Sequence, residues 1–189
     1  MVIVLKDKDS VWMGASIEGT FTAMHNDDII SEDNLKMWNP AGRKNCLFAT
    51  TTSSMPLIDD LRYTDFEALD LPPRSDVVIR NLAPAIKDFY AERRMLDNGA
   101  LWAPLAVAKE DRAFIIDEDL TVIEVEEFDT LEYGLSGDIT HGVLETNRDL
   151  PPAERIAEAF RAIEAGSHRK HFPIVIMNTK TEGQTVIEK

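Results

Sequence analysis

The chain has 189 residues, 44% of them apolar, and a formal net charge of −14. Such a length suits one domain with a sizeable core, so residues 1–189 are expected to form a single unit. The acidic balance speaks against nucleic acid as a partner, because phosphate binding needs Lys and Arg to displace counterions, and no apolar run approaches the roughly 20 residues that span a bilayer.

The first residues already read as a strand. Val2 to Leu5 are apolar and mostly β-branched, Lys6-Asp7-Lys8-Asp9 is turn material, and Val11 to Ala15 is apolar again, which predicts a hairpin. A short strand is expected at Phe21–His25, followed by the polar loop HNDDIISEDN. NLKMW and NCLFATTT read as two further strands, separated by the turn residues Asn39-Pro40-Ala41-Gly42. Ser54 then suits the N-cap of a helix with Pro56 in its first turn and Leu57, Ile58 and Leu61 on one face. Leu71-Pro72-Pro73 breaks it. Ser75 is the expected cap of a second helical stretch to about Leu96, stopped by Asp97-Asn98-Gly99. Pro84 lies inside it and predicts a kink or a restart.

ALWAPLAVAKE, AFIIDED and LTVIEVEE are three β-type runs with short turns between them. Gly134 to Asp138 reads as a loop and Ile139 to Asn147 as a helix. Another helix follows Pro151-Pro152, with Ile156, Phe160 and Ile163 on one face and Gly166 as its stop. PIVIMNT is the last full strand, with TVIEK returning beside it. The order is strands, two helices, strands, two helices, strands. This is an α+β pattern compatible with two stacked sheets, each covered by a helix pair.

Taken in order, these pieces resemble the proteasome β-subunit family, and most of all its HslV-type bacterial members. The resemblance runs through MVIV…VWMGAS followed by Thr20, NLKMW, FATTTSS, AIKDFYAERRML, ALWAPLAVAKEDRAFIID, YGLSGD, LPPAERIAEAFRAI and IVIMNT. It implies a four-layer αββα sandwich of the N-terminal-nucleophile (Ntn) hydrolase type. Such enzymes expose a threonine as the first residue of the mature chain. Its hydroxyl attacks the peptide carbonyl and its α-amine acts as the base.

By the same resemblance, Met1 stands where the family has its threonine, and a thioether cannot attack a carbonyl. Removing Met1 would expose Val2, equally inert; Met1 is expected to be retained, with no segment ahead of it. Lys36 matches the family lysine whose positive charge lowers the pKa of the nucleophile. On residue type alone, Lys36 reads as a strand lysine turned to solvent; it is the motif that sets the catalytic reading level with that one. The aspartate that orients the family lysine falls on Ser16. The glycine pair that leaves room for substrate falls on Thr50-Thr51, whose side chains would crowd the cleft while a backbone N–H could still serve as oxyanion donor. Ser136 with Gly137 resembles the Ser-Gly pair near the terminal amine, and reads otherwise as a loop turn. Pro173 stands where an acidic residue is expected before the last strand.

Other chemistry is thinner. His25 with Asp27, Asp28, Glu32 and Asp33 lacks the spacing of an EF-hand and reads as a solvated acidic loop. His168 and His171 read as helix C-terminal residues that complement the dipole. Cys46, the only cysteine, sits in an apolar strand and reads as an unreactive buried thiol. Ser10, Ser53 and Ser54 lack a nearby His and Asp pattern that would suggest a triad. The glycines form neither of the phosphate-loop motifs. No cofactor and no metal are expected. A single cysteine and the lack of a secretory pattern suit a cytoplasmic protein.

Two functional readings follow. One is a proteasome-like protein that kept the fold and lost the peptidase reaction, acting in assembly or binding, with a peptide or small-molecule ligand in its cleft. The other is an active amide hydrolase with a different nucleophile and the Met1 amine or Lys36 as base. Under either, the resemblance implies a ring-type homo-oligomer.

Overall fold

The computed structural model describes residues 1–17, 36–52, 54–132, 134–167, 171–181 and 183–188. The expected strand at Phe21–His25, the acidic loop after it, and Thr20, Ser53 and His168 lie outside these residues.

Two five-stranded antiparallel sheets form the centre. The first runs β10 (Phe128–Thr130), β1 (Val2–Asp7), β2 (Ser10–Ser16), β11 (Ile174–Asn178), β12 (Thr185–Ile187). The second runs β3 (Met37–Trp38), β4 (Cys46–Thr50), β7 (Leu105–Lys109), β8 (Arg112–Ile116), β9 (Val122–Val125). A small hairpin joins β5 (Leu96–Asp97) to β6 (Ala100–Leu101).

Side-chain alternation along the strands builds the layers. From β1, Val2 and Val4 point between the sheets, where they share a layer with Met13, Leu47, Ala49, Ala106, Ala108 and Ile115. Met1, Ile3 and Leu5 point the other way, into a layer with Ile156, Phe160 and Ile163 of α5 (Pro152–Ser167) and Leu144 of α4 (Leu135–Thr146). On the second sheet, Cys46 and Phe48 of β4 face α1 (Met55–Tyr63) and α3 (Ala83–Glu92), meeting Leu57, Leu61, Ile86 and Tyr90. The architecture is therefore helices, sheet, sheet, helices, with which the element order is compatible and which the resemblance implies. Each fully buried Ile, Leu or Phe in these layers contributes about 1.5–3 kcal/mol.

Gly14 sets the approach of α5 to the first sheet. A Cβ on it would lie 2.4 Å from Ile156 Cγ2 and 3.3 Å from a carbon of the Phe160 ring. Only a bare Cα lets the helix settle at this distance.

Several boundaries differ from the sequence reading. The Pro84 restart takes the form of a π-turn: α2 (Ser75–Val77) passes through Val78–Leu82 into α3, and the Ala83 N–H donates to the Val78 carbonyl. The wider turn absorbs the donor that proline lacks. The residue preceding α2 in extended conformation is Arg74, so Ser75 is the first helical residue and its hydroxyl donates instead to Glu124. The helix ends at Glu92, short of Leu96. Asn98 and Gly99, read as its stop, both have positive φ (50° and 89°) and make the β5–β6 hairpin turn. Gly134, with φ 78°, starts α4 at Leu135, so most of the expected loop is helix.

Candidate functional site

The site lies where β1 begins. Strand pairing alone fixes the first residue on both sides: the Ser16 N–H donates to the Met1 carbonyl at 3.2 Å, and the Leu131 N–H and Thr130 hydroxyl donate to the Val2 carbonyl at 3.1 and 3.0 Å. The chain terminus is thus built into the sheet. The Met1 side chain, 5% exposed, packs with Ile3, Phe172 and Ile174 in the layer beneath α4 and α5.

The Met1 amine is buried and lies 3.0 Å from Glu132 Oε1. Glu132 follows β10, the strand paired with β1, and is held in turn by α4. A Cβ on Gly137 would sit 2.6 Å from the Glu132 carbonyl oxygen, so this glycine lets the first turn of α4 press against the Glu132 backbone. Lys36, 9% exposed, completes the group. It precedes β3, and its carbonyl accepts the Thr50 N–H at 3.0 Å, tying it to the end of β4.

The electrostatics follow from burial. Desolvation pulls the amine below its ordinary value of 8.0; Glu132 opposes that shift and the Lys36 charge adds to it. Lys36 is also pulled down, first by desolvation, with Glu132 opposing. Among the described residues, two cationic groups thus face one carboxylate in a site where burial disfavours charge.

Of the residues singled out in the sequence, Met1 and Lys36 do come together electrostatically. The solvent-facing reading of Lys36 is overturned, because the side chain is buried against the strand ends. Ser16 is buried at the end of β2 and pairs in register with Ile174. The carboxylate facing Lys36 comes from Glu132 instead. Thr50 does not crowd the cleft: its hydroxyl donates to the Pro104 carbonyl at 3.0 Å, on the helix side of β4 with Phe48. Thr51 follows directly and is half-buried. Ser136 is half-buried in the first turn of α4, where its carbonyl accepts the Thr140 hydroxyl at 2.8 Å. The Ser-Gly pair is therefore helix and not loop, and it is Gly137 that shapes the site.

Glu132 is the residue that sequence reasoning missed. Its signal was local: it stands directly before the YGLSGD stretch. Its proximity to Met1 depends on the pairing of Ile3 with Thr130, which no short motif reveals.

Elsewhere, Cys46 is fully buried and its thiol is pushed up to about 12 by desolvation, which leaves it unreactive as expected. His171 lies beyond the end of α5, and not within its last turn. Its ring is tilted against Phe160 with centroids 6.0 Å apart, and its backbone N–H donates to Glu164 at 2.7 Å. Among the described residues no group of His, Cys, Asp or Glu could hold a metal ion, and no helix is long and apolar enough to cross a membrane.

With this geometry in place, comparison with solved structures decides the architecture. Thiobacillus denitrificans BPH superposes with a TM-score of 0.67, and the same protein in complex with epoxomicin with 0.66; each is 17% identical and covers 94% of this chain and 96% of its own. Eukaryotic HslV from Trypanosoma brucei superposes with a TM-score of 0.61 at 17% identity, over 94% of this chain and 97% of its own. The fold is HslV-like. No family model and no curated protein matches the sequence, so the HslV-like architecture is visible in three dimensions at an identity too low to carry an activity. The four-layer sandwich that the family resemblance implies matches the fold of these neighbours.

Proposed function

We propose that this HslV-like chain is a proteasome-type protein without threonine-peptidase activity, which acts through assembly or binding. The observation that supports it is the use of the first residue. Its thioether is a core side chain beneath α4 and α5, and its amine is engaged by Glu132. A methionine so placed offers no oxygen or thiolate to a carbonyl. Residues 1–189 act as one unit in this reading, copies of the chain assemble into a ring, and the protein works in the cytoplasm, where its one cysteine stays reduced.

The test uses the purified protein. Small peptide amides should not turn over, and incubation with epoxomicin should leave the intact mass unchanged. N-terminal mass analysis of the protein from its natural source should find Met1. A mature chain beginning at Thr, Ser or Cys, or an epoxomicin adduct, refutes the reading. Light scattering measures the assembly: a monomeric mass at micromolar concentration sinks the ring.

One observation favours a second reading, an active hydrolase. A buried lysine and an amine of lowered pKa sit beside a carboxylate, and such groups could serve as a base. Turnover that disappears on Lys36→Ala would establish it.

A further inference from the structure

Asp97-Asn98-Gly99, which ends no helix, carries a chemistry of its own. All three residues are exposed. Asn98 and Gly99 form the turn between β5 and β6, outside the Asp97–Ala100 and Leu96–Leu101 pairs, so the strand ladder makes no use of the Gly99 nitrogen. Asn98 has φ 50°, in the left-handed region that asparagine tolerates. Its side-chain amide donates to Asp97 Oδ1 at 3.1 Å, an exposed neighbour that leaves the carboxamide open to solvent. Gly99 offers a main-chain nitrogen with no side chain beside it, and a Cβ built on Gly99 would meet nothing within 4 Å. A reactive carbonyl carbon, a neighbouring nitrogen and water therefore meet with little steric hindrance.

The other described asparagines lack this combination. Asn39 precedes Pro40, which has no N–H. After Asn45, the Cys46 N–H donates to the Arg43 carbonyl at 3.2 Å; after Asn178, the Thr179 N–H donates to the Val11 carbonyl at 3.0 Å. Asn81 lies within the π-turn before Pro84. The Asn147 amide is held by the Val143 carbonyl at 2.9 Å, and an arginine follows it.

We propose that Asn98 is a self-modification site, at which the folded chain converts asparagine to isoaspartate as it ages. The Gly99 main-chain nitrogen, having lost its proton to hydroxide, attacks Asn98 Cγ. The new N–Cγ bond closes a five-membered succinimide, the Cγ–Nδ2 bond breaks, and Nδ2 leaves as ammonia with a proton from water. Water then opens the ring. Attack at the main-chain carbonyl routes the chain through the side-chain carbon and gives isoaspartate; attack at Cγ gives aspartate. The sum is asparagine plus water going to a carboxylic acid plus ammonia, with nothing oxidised or reduced. The product places a second carboxylate beside Asp97, and isoaspartate adds a main-chain carbon to a loop whose two-residue length sets the register of β5 and β6. The site lies apart from Met1 and Lys36 in sequence and stands whichever functional reading of that pair holds.

The experiment ages the full folded chain at 37 °C, at pH 8.5 and at pH 6, and follows it by tryptic peptide mass analysis, with a freshly digested sample as the blank. Cleavage after Arg94 and Lys109 releases Met95–Lys109, in which Asn98 is the only side-chain amide; His171–Lys180 carries Asn178 alone and serves as the internal control. Met95–Lys109 should gain one mass unit and resolve into two products, with isoaspartate in excess. The gain should be several-fold faster at pH 8.5 than at pH 6, and at least tenfold faster than in His171–Lys180. A carboxyl methyltransferase specific for isoaspartate should label the aged protein. Asn98→Gly, which keeps the left-handed turn available, should abolish the label with far-UV circular dichroism unchanged. An unmodified Met95–Lys109 at pH 8.5, a rate no greater than that of the control peptide, equal rates at the two pH values, aspartate without isoaspartate, or a label that persists in Asn98→Gly overturns the proposal.

Discussion

Replacing Glu132 with glutamine tests the electrostatic account of the buried terminus. At 3.0 Å and an effective dielectric near 20, the amine and the carboxylate attract by about 5.5 kcal/mol before desolvation is counted. Burial of the amine offsets most of this, and hydrogen bonds to charged groups net about 1.5–3 kcal/mol. Glu132→Gln should therefore lower the unfolding free energy by about that amount near pH 6. The sign of the pH dependence is fixed by the direction of the shift. The amine of the folded chain titrates below its unfolded value of 8.0. In the interval between the two values the unfolded chain binds more protons, so stability is full above pH 8 and declines as pH falls through that window. Without the carboxylate the folded value drops further, so the decline continues to lower pH in the variant. Urea unfolding at pH 6 and pH 9 should show a larger loss at pH 6. The same loss at both values, or none at either, refutes the ion pair as the interaction that opposes the shift.

Gly14→Ala would drive a methyl to 2.4 Å from Ile156 Cγ2, and overpacking of this kind costs about 1–3 kcal/mol; thermal unfolding measures it, and an unchanged Tm would mean that α5 does not sit where Gly14 allows. Combining it with Ile156→Ala should recover part of that loss, because the new methyl then enters the space left by the isoleucine. Tyr90 is fully buried in the aromatic layer beneath α3, and its hydroxyl has no hydrogen-bond partner among the described residues. Tyr90→Phe should raise the unfolding free energy by about 1 kcal/mol, a Tm gain of roughly 2–4 °C at this chain length. A loss of stability instead would reveal a partner for that oxygen.

Much of the fold was legible because its signals are short in range. Val2 to Leu5 and Val11 to Ala15 are two apolar runs around a polar stretch, and the hairpin follows. Ile156, Phe160 and Ile163 share one helical face and are the residues that α5 buries. Asn98-Gly99 was harder, since left-handed φ values suit the stop of a helix and the turn of a hairpin alike, and only the pairing of Leu96 with Leu101 separates them. The site was half-legible. Lys36 could be named from its motif, while its burial depends on strand ends remote in sequence. Glu132 reaches the Met1 amine through a ladder between residues more than a hundred positions apart, and Thr50 turns toward Pro104 because of the pleat of β4.

The placement of β1 and β2 has a consequence for the chain during its synthesis. Ile3 pairs with Thr130 on one flank of the hairpin, and Gly14 pairs with Ile176 on the other. This hairpin is therefore translated well before the strands that flank it on both sides of the sheet. Until they arrive, two apolar strands with open hydrogen-bonding edges have nothing native to join, and the closure of that sheet is a slow, long-range event. Nascent copies emerging side by side share the same adhesive hairpin, so shielding by a chaperone that recognises extended apolar segments would raise the yield of folded protein.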